Sequence, residues 1–315
     1  MTNKELNKEG IRFATTGQWS EIQPITVLKV CGEDATEFLQ GQFSQDLWRD
    51  QTGVARYGFW LTRKGRVEGD STIIRLAEDY CLIFSSSMTA AALVERFEVF
   101  LVADDVELVD VSTDWTAWQV MGAEVRGWLK SQEAGGGDSR FAWEAPWNLG
   151  RGSAVMVSRS KPKWPIGWRE ADLREFEVAR IGLGCPKVPM DLGPEDFPQE
   201  GGLESAGVSF RKGCYLGQEV MARIQNTGRV RRRLVRVTGV GTAPATPVVT
   251  GLWQSGKKVG VLRSRVDQHD GRWLGLAMVN LSSADRDRSM TIGETGGDAV
   301  DWLTGEDSEA GGSNG

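Results

Sequence analysis

The apolar positions of the chain follow two periods. "ITVLKV" (25–30) is a short β-branched run that predicts a strand ending in a Cys31–Gly32 turn. In "EDATEFLQGQFSQDL" (33–47) the period lengthens, and Ala35, Phe38, Leu39, Phe43 and Leu47 gather on one helical face. "GVARYGFWL" (53–61), a turn at "TRKGR" (62–66), "STIIRL" (71–76) and "YCLIF" (80–84) read as successive strands. Ser85 to Ser87 then offer capping hydroxyls to a helix over "MTAAALVERFEVFL" (88–101), whose Ala90, Leu93, Val94, Phe97 and Leu101 share a face. "VELVDV" (106–111) and "TAWQVMG" (116–122) return to strand character. Antiparallel-looking strands with intervening helices predict an α+β domain rather than an alternating parallel one.

Further along, "SQEAGGGDSR" (131–140) is a glycine-rich loop and "WREADLREFEVARIGLG" (168–184) a helix stopped by Gly182 and Gly184. "CPKVPMDLGPEDFPQEGG" (185–202) carries four prolines and five acidic or amide side chains, which predicts an ordered crossing loop. After Leu234 short strands alternate with glycine turns, as in "LVRVTGV", "PVVTGLWQSGKKVGVLRSRV" and "RWLGLAMV", the texture of a small β-barrel. "TGEDSEAGGSNG" has no core-formers and predicts a disordered acidic tail. The expected division is an α+β domain over 1–233, a barrel over 234–304 and a tail over 305–315.

Composition narrows the classes. The 315 residues are 40% hydrophobic and 25% charged, enough for a sizeable core and roughly two domains. A net charge of -6 argues against a protein built mainly to hold a nucleic-acid backbone. No apolar run approaches the ~18 residues of a membrane span, and "MTNKELNKEG" lacks a signal core, so the expected address is cytoplasmic. Cys31, Cys81, Cys185 and Cys214 are widely spaced, and the one histidine, His269, lies in a polar "DQHDG" turn. That pattern excludes a self-contained zinc finger or ribbon and weakens histidine-based catalysis. Neither a Walker A loop nor GxGxxG after a strand occurs. Trp60, Trp115, Trp118 and Trp147 are candidates to wall a cleft for a flat heterocycle, or simply core.

The candidate chemistry sits in "FRKGCYLGQEVMARIQNTGRVRRRL" (210–234). "QEVMARI" predicts a helix, which places Cys214 within a turn of its amide-rich end, with Arg211 and Lys212 adding positive charge. Both effects favour thiolate over thiol. The same residue also reads as a small buried side chain, the fate of most free cysteines. For "RVRRR" (229–233) the readings are an RNA contact or a solvated or ion-paired strand face, and the acidic total favours the second.

"KGCYLGQEVMAR" (212–223) resembles the K-G-C-Y-x-G-Q-E signature of the YgfZ family, folate-binding relatives of the glycine cleavage T-protein (aminomethyltransferase). "VLKVCGEDATEFLQGQFSQDL" (27–47), "LTRKGRV" (61–67), "ARIGLGCP…FPQEGGLESAGVSFRKGCYLGQE", "GKKVGVLRSRV" (256–266) and "LGLAMV" (274–279) extend the likeness over roughly 25–280. The resemblance implies a T-protein-like α+β folate-binding body with a C-terminal β-barrel, acting with tetrahydrofolate or a folate derivative. It further implies a part in assembly or repair of iron–sulfur enzymes and, indirectly, in tRNA thio-modification. By carry-over Cys214 is the functional thiol, a transient ligand for iron or cluster sulfide without a tightly bound metal. Lys212, Tyr215, Gln218, Glu219 and Arg223 shape its surroundings, and Gln42, Asp46, Arg66 and Arg180 line the folate cleft. The implied partners are iron–sulfur enzymes or assembly factors and folate, with neither direct nucleic-acid binding nor a membrane. Where T-protein enzymes carry a catalytic aspartate and a glutamate, this chain has Ala92 and Gly182, which argues against aminomethyl transfer or demethylation, the alternative activity.

Overall fold

A computed structural model describes residues 16–22, 25–49, 51–132, 139–145, 152–241, 250–268, 271–294 and 296–303. The tail, His269 and Trp147 therefore lie outside the described residues. The described residues divide into two compact units, one within 16–173 and 187–230, the other within 174–186 and 231–303.

The larger unit holds two five-stranded sheets. In the first the order is β3 (Ala55–Leu61), β4 (Val67–Ala77), β5 (Tyr80–Ser85), β2 (Thr26–Cys31) and β6 (Glu107–Asp110), all antiparallel. The second runs β10 (Arg169–Glu170), β1 (Gln18–Ile22), β7 (Thr116–Met121), β9 (Ser153–Ser158) and β8 (Arg140–Glu144).

Side-chain alternation decides what each face buries. On β2, Val27 points to one side while Leu28 and Val30 point to the other; on β5, Leu82 and Phe84 oppose Cys81 and Ile83. Val27, Ile74, Leu82 and Phe84 meet Ala117 and Val157 of the second sheet and Trp115 just before β7, so the sheets share a core. The outer face of the first sheet is covered by α1 (Ala35–Gln42) and α2 (Ala90–Glu98) through Phe38, Leu39, Leu93 and Phe97. The outer face of the second packs Val120 and Ala154 against Val125 and Leu129 of α3 (Val125–Gln132). Four layers result, helix, sheet, sheet, helix. Both faces of each sheet are buried, hence near-continuous apolar strands such as "CLIF".

Two helices are shorter than their periodicity predicts. α1 stops at Gln42, where Phe43 turns extended, so Phe43 and Leu47 reach the core from a loop. α2 is capped not by the serine run but by Thr89, whose hydroxyl accepts from Ala92 N at 3.2 Å. Ser85 and Ser87 instead donate to the Asp70 carbonyl.

The smaller unit contains a closed barrel in the order β11 (Arg232–Val240), β14 (Arg272–Asn280), β13 (Lys257–Asp267), β12 (Thr250–Gln254), β15 (Met290–Ile292) and β16 (Ala299–Trp302). Closure leaves no unpaired edge, and Val237, Leu252, Val259, Trp273 and Val300 fill the interior. Val178 and Ile181 of α4 (Leu173–Leu183) pack with Val266, Leu274 and Leu276. Residues 168–172, expected to begin this helix, instead supply β10. Among the described residues no helix is long and apolar enough to cross a membrane.

Candidate functional site

In the larger unit the segment 203–217 is tied to the loop after α1 by a dense set of bonds. The short helix α5 (Glu204–Gly207) accepts from Gln45 Nε2 at the Ala206 carbonyl (3.0 Å) and from Ser44 Oγ at Gly207 (2.5 Å). Ser209 N donates to Ser44 O at 2.9 Å and Leu216 N to Gly41 O at 3.1 Å. Lys212 completes the set. Its ammonium donates to the carbonyls of Gln40, Phe43 and Gln45 at 2.7, 2.8 and 2.9 Å and lies 5.1 Å above the Tyr215 ring. The Gln40 and Phe43 carbonyls lie at the end of α1 without intrahelical partners and Gln45 follows in the loop, so three N–H groups match three acceptors. Burial pushes the Lys212 amine down to about 7, with the charge of Asp46 opposing.

Lys212 and Tyr215 are buried, whereas Gly213 and Cys214 between them are exposed. The buried reading of Cys214 is thus set aside; Cys81 and Cys185 are the buried cysteines and Cys31 is half-buried. The Lys212 charge, read from sequence as an activator of the thiol, is spent inward on the α1 loop.

Immediately after comes α6 (Gln218–Thr227). Gly217 before it has φ +85°, and a Cβ there would stand 2.6 Å from the Thr62 carbonyl and 3.1 Å from Gly65 Cα. Only glycine lets this helix start lie against the 62–66 turn. Gln218 Oε1 accepts from Tyr215 N at 3.2 Å and closes the turn that carries the cysteine. Glu219 and Arg223 are exposed, one turn apart on α6.

The proposed cleft residues fall in different settings. Gln42 Oε1 is buried without a hydrogen-bond partner. Asp46 Oδ1 accepts from Gln40 Nε2 and Trp48 N. Arg66 donates to Glu195 O at 2.6 Å and stacks 3.8 Å from the Phe197 ring centroid. Arg180 belongs to the smaller unit, where its guanidinium binds Glu177, the Cys185 carbonyl and Ser264. Ala92 lies half-buried in the first turn of α2, and Gly182 is buried in α4. Trp60, Trp115 and Trp118 are core, with Trp60 Nε1 donating to Ser71 Oγ at 2.7 Å.

Two polar features escape a reading of the sequence alone. Gln199 is 4% exposed, yet neither end of its amide has a partner; the P-Q pair of "FPQEGG" marked the position but not its burial. Tyr57 donates to Asp70 Oδ2 at 2.9 Å across β3 and β4, and burial pushes the Asp70 carboxyl up. The alternation of "GVARYGFWL" hid that pair. The acidic crossing loop that holds Gln199 organises itself: Asp191, Asp196 and Glu200 each accept from a backbone N–H of the loop, at Lys187, Gly193 and Phe197. Among the described residues no group of three or more His, Cys, Asp or Glu side chains is placed to hold a metal.

The GCVT N-terminal domain family matches residues 6–159, and the CAF17 C-terminal beta-barrel domain matches 231–304. Relatives of the chain carry IBA57 and YgfZ names. The chain pairs a GCVT-like domain with a CAF17-type C-terminal barrel, and its relatives belong to the YgfZ/IBA57 family, related to the glycine cleavage T-protein. Among family members, the iron–sulfur cluster assembly factor IBA57 homolog of Cryptococcus neoformans is 27% identical over 242 residues, covering 67% of this chain and 64% of the relative. The chain thus spans under two thirds of that relative's length. Human iron–sulfur cluster assembly factor IBA57 is 29% identical over 258 residues, 76% of this chain and 72% of its own. The tRNA-modifying protein YgfZ of Vibrio vulnificus is 25% identical over 247 residues, 73% of this chain and 72% of its own. The family fold is that of the aminomethyltransferase T of Bartonella henselae, which superposes with a TM-score of 0.70 at 16% identity over 94% of this chain and 87% of that one.

Proposed function

We propose that the chain is a folate-binding accessory protein in the assembly or repair of iron–sulfur proteins, with Cys214 as its working thiol. The observation that carries this reading is the exposed thiol held on a braced platform: Lys212 with its three carbonyls beneath, Gly217 and Gln218 closing the turn beside it. A side chain that merely filled space would not be presented this way. A thiolate is a soft ligand for iron, and one thiolate supplies a single ligand of the four a cluster takes. The remaining ligands come from the client or assembly factor, so iron or cluster sulfide is cargo here. The names of the IBA57 and YgfZ relatives support the same role, including the indirect support of tRNA modification.

Folate rests on separate ground. Gln42 Oε1 and both ends of the Gln199 amide are buried polar atoms that protein groups leave unpaired, and such atoms are costly without a partner. Each would gain a partner from a polar heterocycle lying against it, whereas Asp46, Arg66 and Arg180 would join only by giving up bonds they already make.

Complementation of a deletion strain tests the thiol: wild type restores iron–sulfur enzyme activity and tRNA methylthiolation, and Cys214→Ala does not. Equal rescue by Cys214→Ala sinks the assignment. Saturable quenching of tryptophan fluorescence and a thermal shift with reduced folate test the ligand; the absence of both removes it.

A further inference from the structure

The second sheet of the larger unit carries, on its helix-covered face, a cluster of five tryptophans that the reading above does not use. Trp19 stacks on Trp164 with centroids 5.1 Å apart and planes at 13°, and Trp164 on Trp168 at 6.2 Å and 17°. Trp128 of α3 tilts against Trp168 at 5.3 Å, and Trp118 meets Trp164 edge-on. At the margin of the cluster opens a cleft of about 520 Å³, lined by Ala123, Glu124, Gly127, Trp128, Pro165 and Trp168. It is open to solvent rather than enclosed, so it suits a group presented at the surface rather than a buried ligand. It lies under α3, in the outer layer opposite the one formed by α1 beside the cysteine platform.

Three observations say what it would hold. Glu124 Oε2 accepts from Trp168 Nε1 at 3.0 Å, which fixes a carboxylate at the cleft edge beside an indole face. Among the described residues no basic side chain lines the cleft, so its charge repels anions and suits a cation. The cluster already accommodates one, since Lys161 Nζ sits 6.0 Å over the Trp19 ring. Gly127 adds a steric sign. It occupies the third position of α3, where glycine disfavours helix. It has no positive φ, and a Cβ there would meet nothing within 4 Å. Neither backbone strain nor internal crowding calls for glycine; its effect is to keep the cleft floor open.

We propose that this cleft binds a methylated ammonium group, carried on a small molecule or on a lysine side chain. The indole faces of Trp128 and Trp168 attract the spread positive charge, Pro165 covers the methyl groups, and Glu124 neutralises the charge from the edge.

The test uses the full chain and follows the indole N–H signals by NMR with choline, a trimethyllysine peptide and the neutral isostere 3,3-dimethylbutanol. Choline is expected to shift the Trp128 and Trp168 signals saturably, and the isostere to bind about fivefold more weakly or worse, the margin of a cation–π and carboxylate contact. Glu124→Gln, which keeps an oxygen for Trp168, loses that margin. Gly127→Leu plugs the floor and abolishes binding without lowering the Tm. Peptide binding as tight as choline assigns the group to a side chain, and binding of choline alone assigns it to a free metabolite. No saturable shift with either cation, an isostere that matches choline, or unchanged binding by Gly127→Leu overturns the proposal.

Discussion

Lys212→Met isolates the contact on which the cysteine platform rests. Methionine keeps the apolar stem and removes the charge. Three carbonyls, at Gln40, Phe43 and Gln45, then lose donors at 2.7 to 2.9 Å. At about 1 kcal/mol or slightly more for each orphaned acceptor, the loss is about 3–4 kcal/mol. Against it stands the cost of burying an ammonium. Burial takes the folded amine down to about 7 from its ordinary value of 10.5. A depressed pKa means the unfolded chain holds the extra proton between these limits, so the stability linked to the group is complete above 10.5 and falls as pH drops toward 7. The slope approaches about 1.4 kcal/mol per pH unit within that window. Urea unfolding of wild type and variant at pH 7 and pH 9 reads the difference, from which other titrating groups cancel. The expected destabilisation is about 2 kcal/mol at pH 9, where the folded amine is neutral and has two N–H groups to give, and it shrinks by about 2 kcal/mol or more at pH 7. A difference that stays constant, or grows toward pH 7, would show that the three carbonyls fully compensate the charge and refute the reasoning.

Three further outcomes are expected. In native protein a maleimide modifies Cys214 first and reaches Cys81 and Cys185, 0% and 2% exposed, only on unfolding; equal native rates, read by peptide mass mapping, contradict the placement. Gly217→Ala forces a side chain into φ +85° and against the Thr62 carbonyl, costing about 2 kcal/mol or more by urea midpoint, and a change under about 0.5 kcal/mol would deny the close approach. Burial raises the Asp70 carboxyl, so its stabilising effect is complete in acid, below the ordinary carboxylate range, and is lost as pH rises through the folded value. Asp70→Asn, which still accepts from Tyr57, therefore gains Tm relative to wild type at pH 7 and loses that advantage near about pH 4; the opposite order would overturn it.

Strand alternation was readable wherever one residue in two faced a core, as in "ITVLKV" and "YCLIF", and the barrel was announced by its glycine-spaced strands. Where a helix gives way to a loop that still buries its side chains, periodicity misleads: Phe43 and Leu47 keep helical spacing while α1 has ended at Gln42. The middle of the chain hid more. β1, α3, β8 and β9 are all short, the first three with one tryptophan each, and the pattern singled out none of them. At the site, the signature marked Cys214 and its neighbours, but nearness in sequence suggested that Lys212 charges the thiol. Its side chain turns the other way, toward carbonyls contributed from more than 160 positions earlier. Burial of Gln199 and the Tyr57–Asp70 pair likewise depends on partners that no local pattern records.

The interleaving of the two units has a consequence for how the chain is made. α4 leaves the ribosome before residues 187–230, which belong to the other unit, and long before β13 and β14, whose Val266, Leu274 and Leu276 cover its apolar face. The four-layer unit can finish once residue 230 has emerged, while Val178 and Ile181 wait uncovered for the barrel. Nascent chains stalled between residue 230 and β13 would therefore be protease-resistant in the first unit and chaperone-binding at α4. The helix is an early-made part of a late-folding unit.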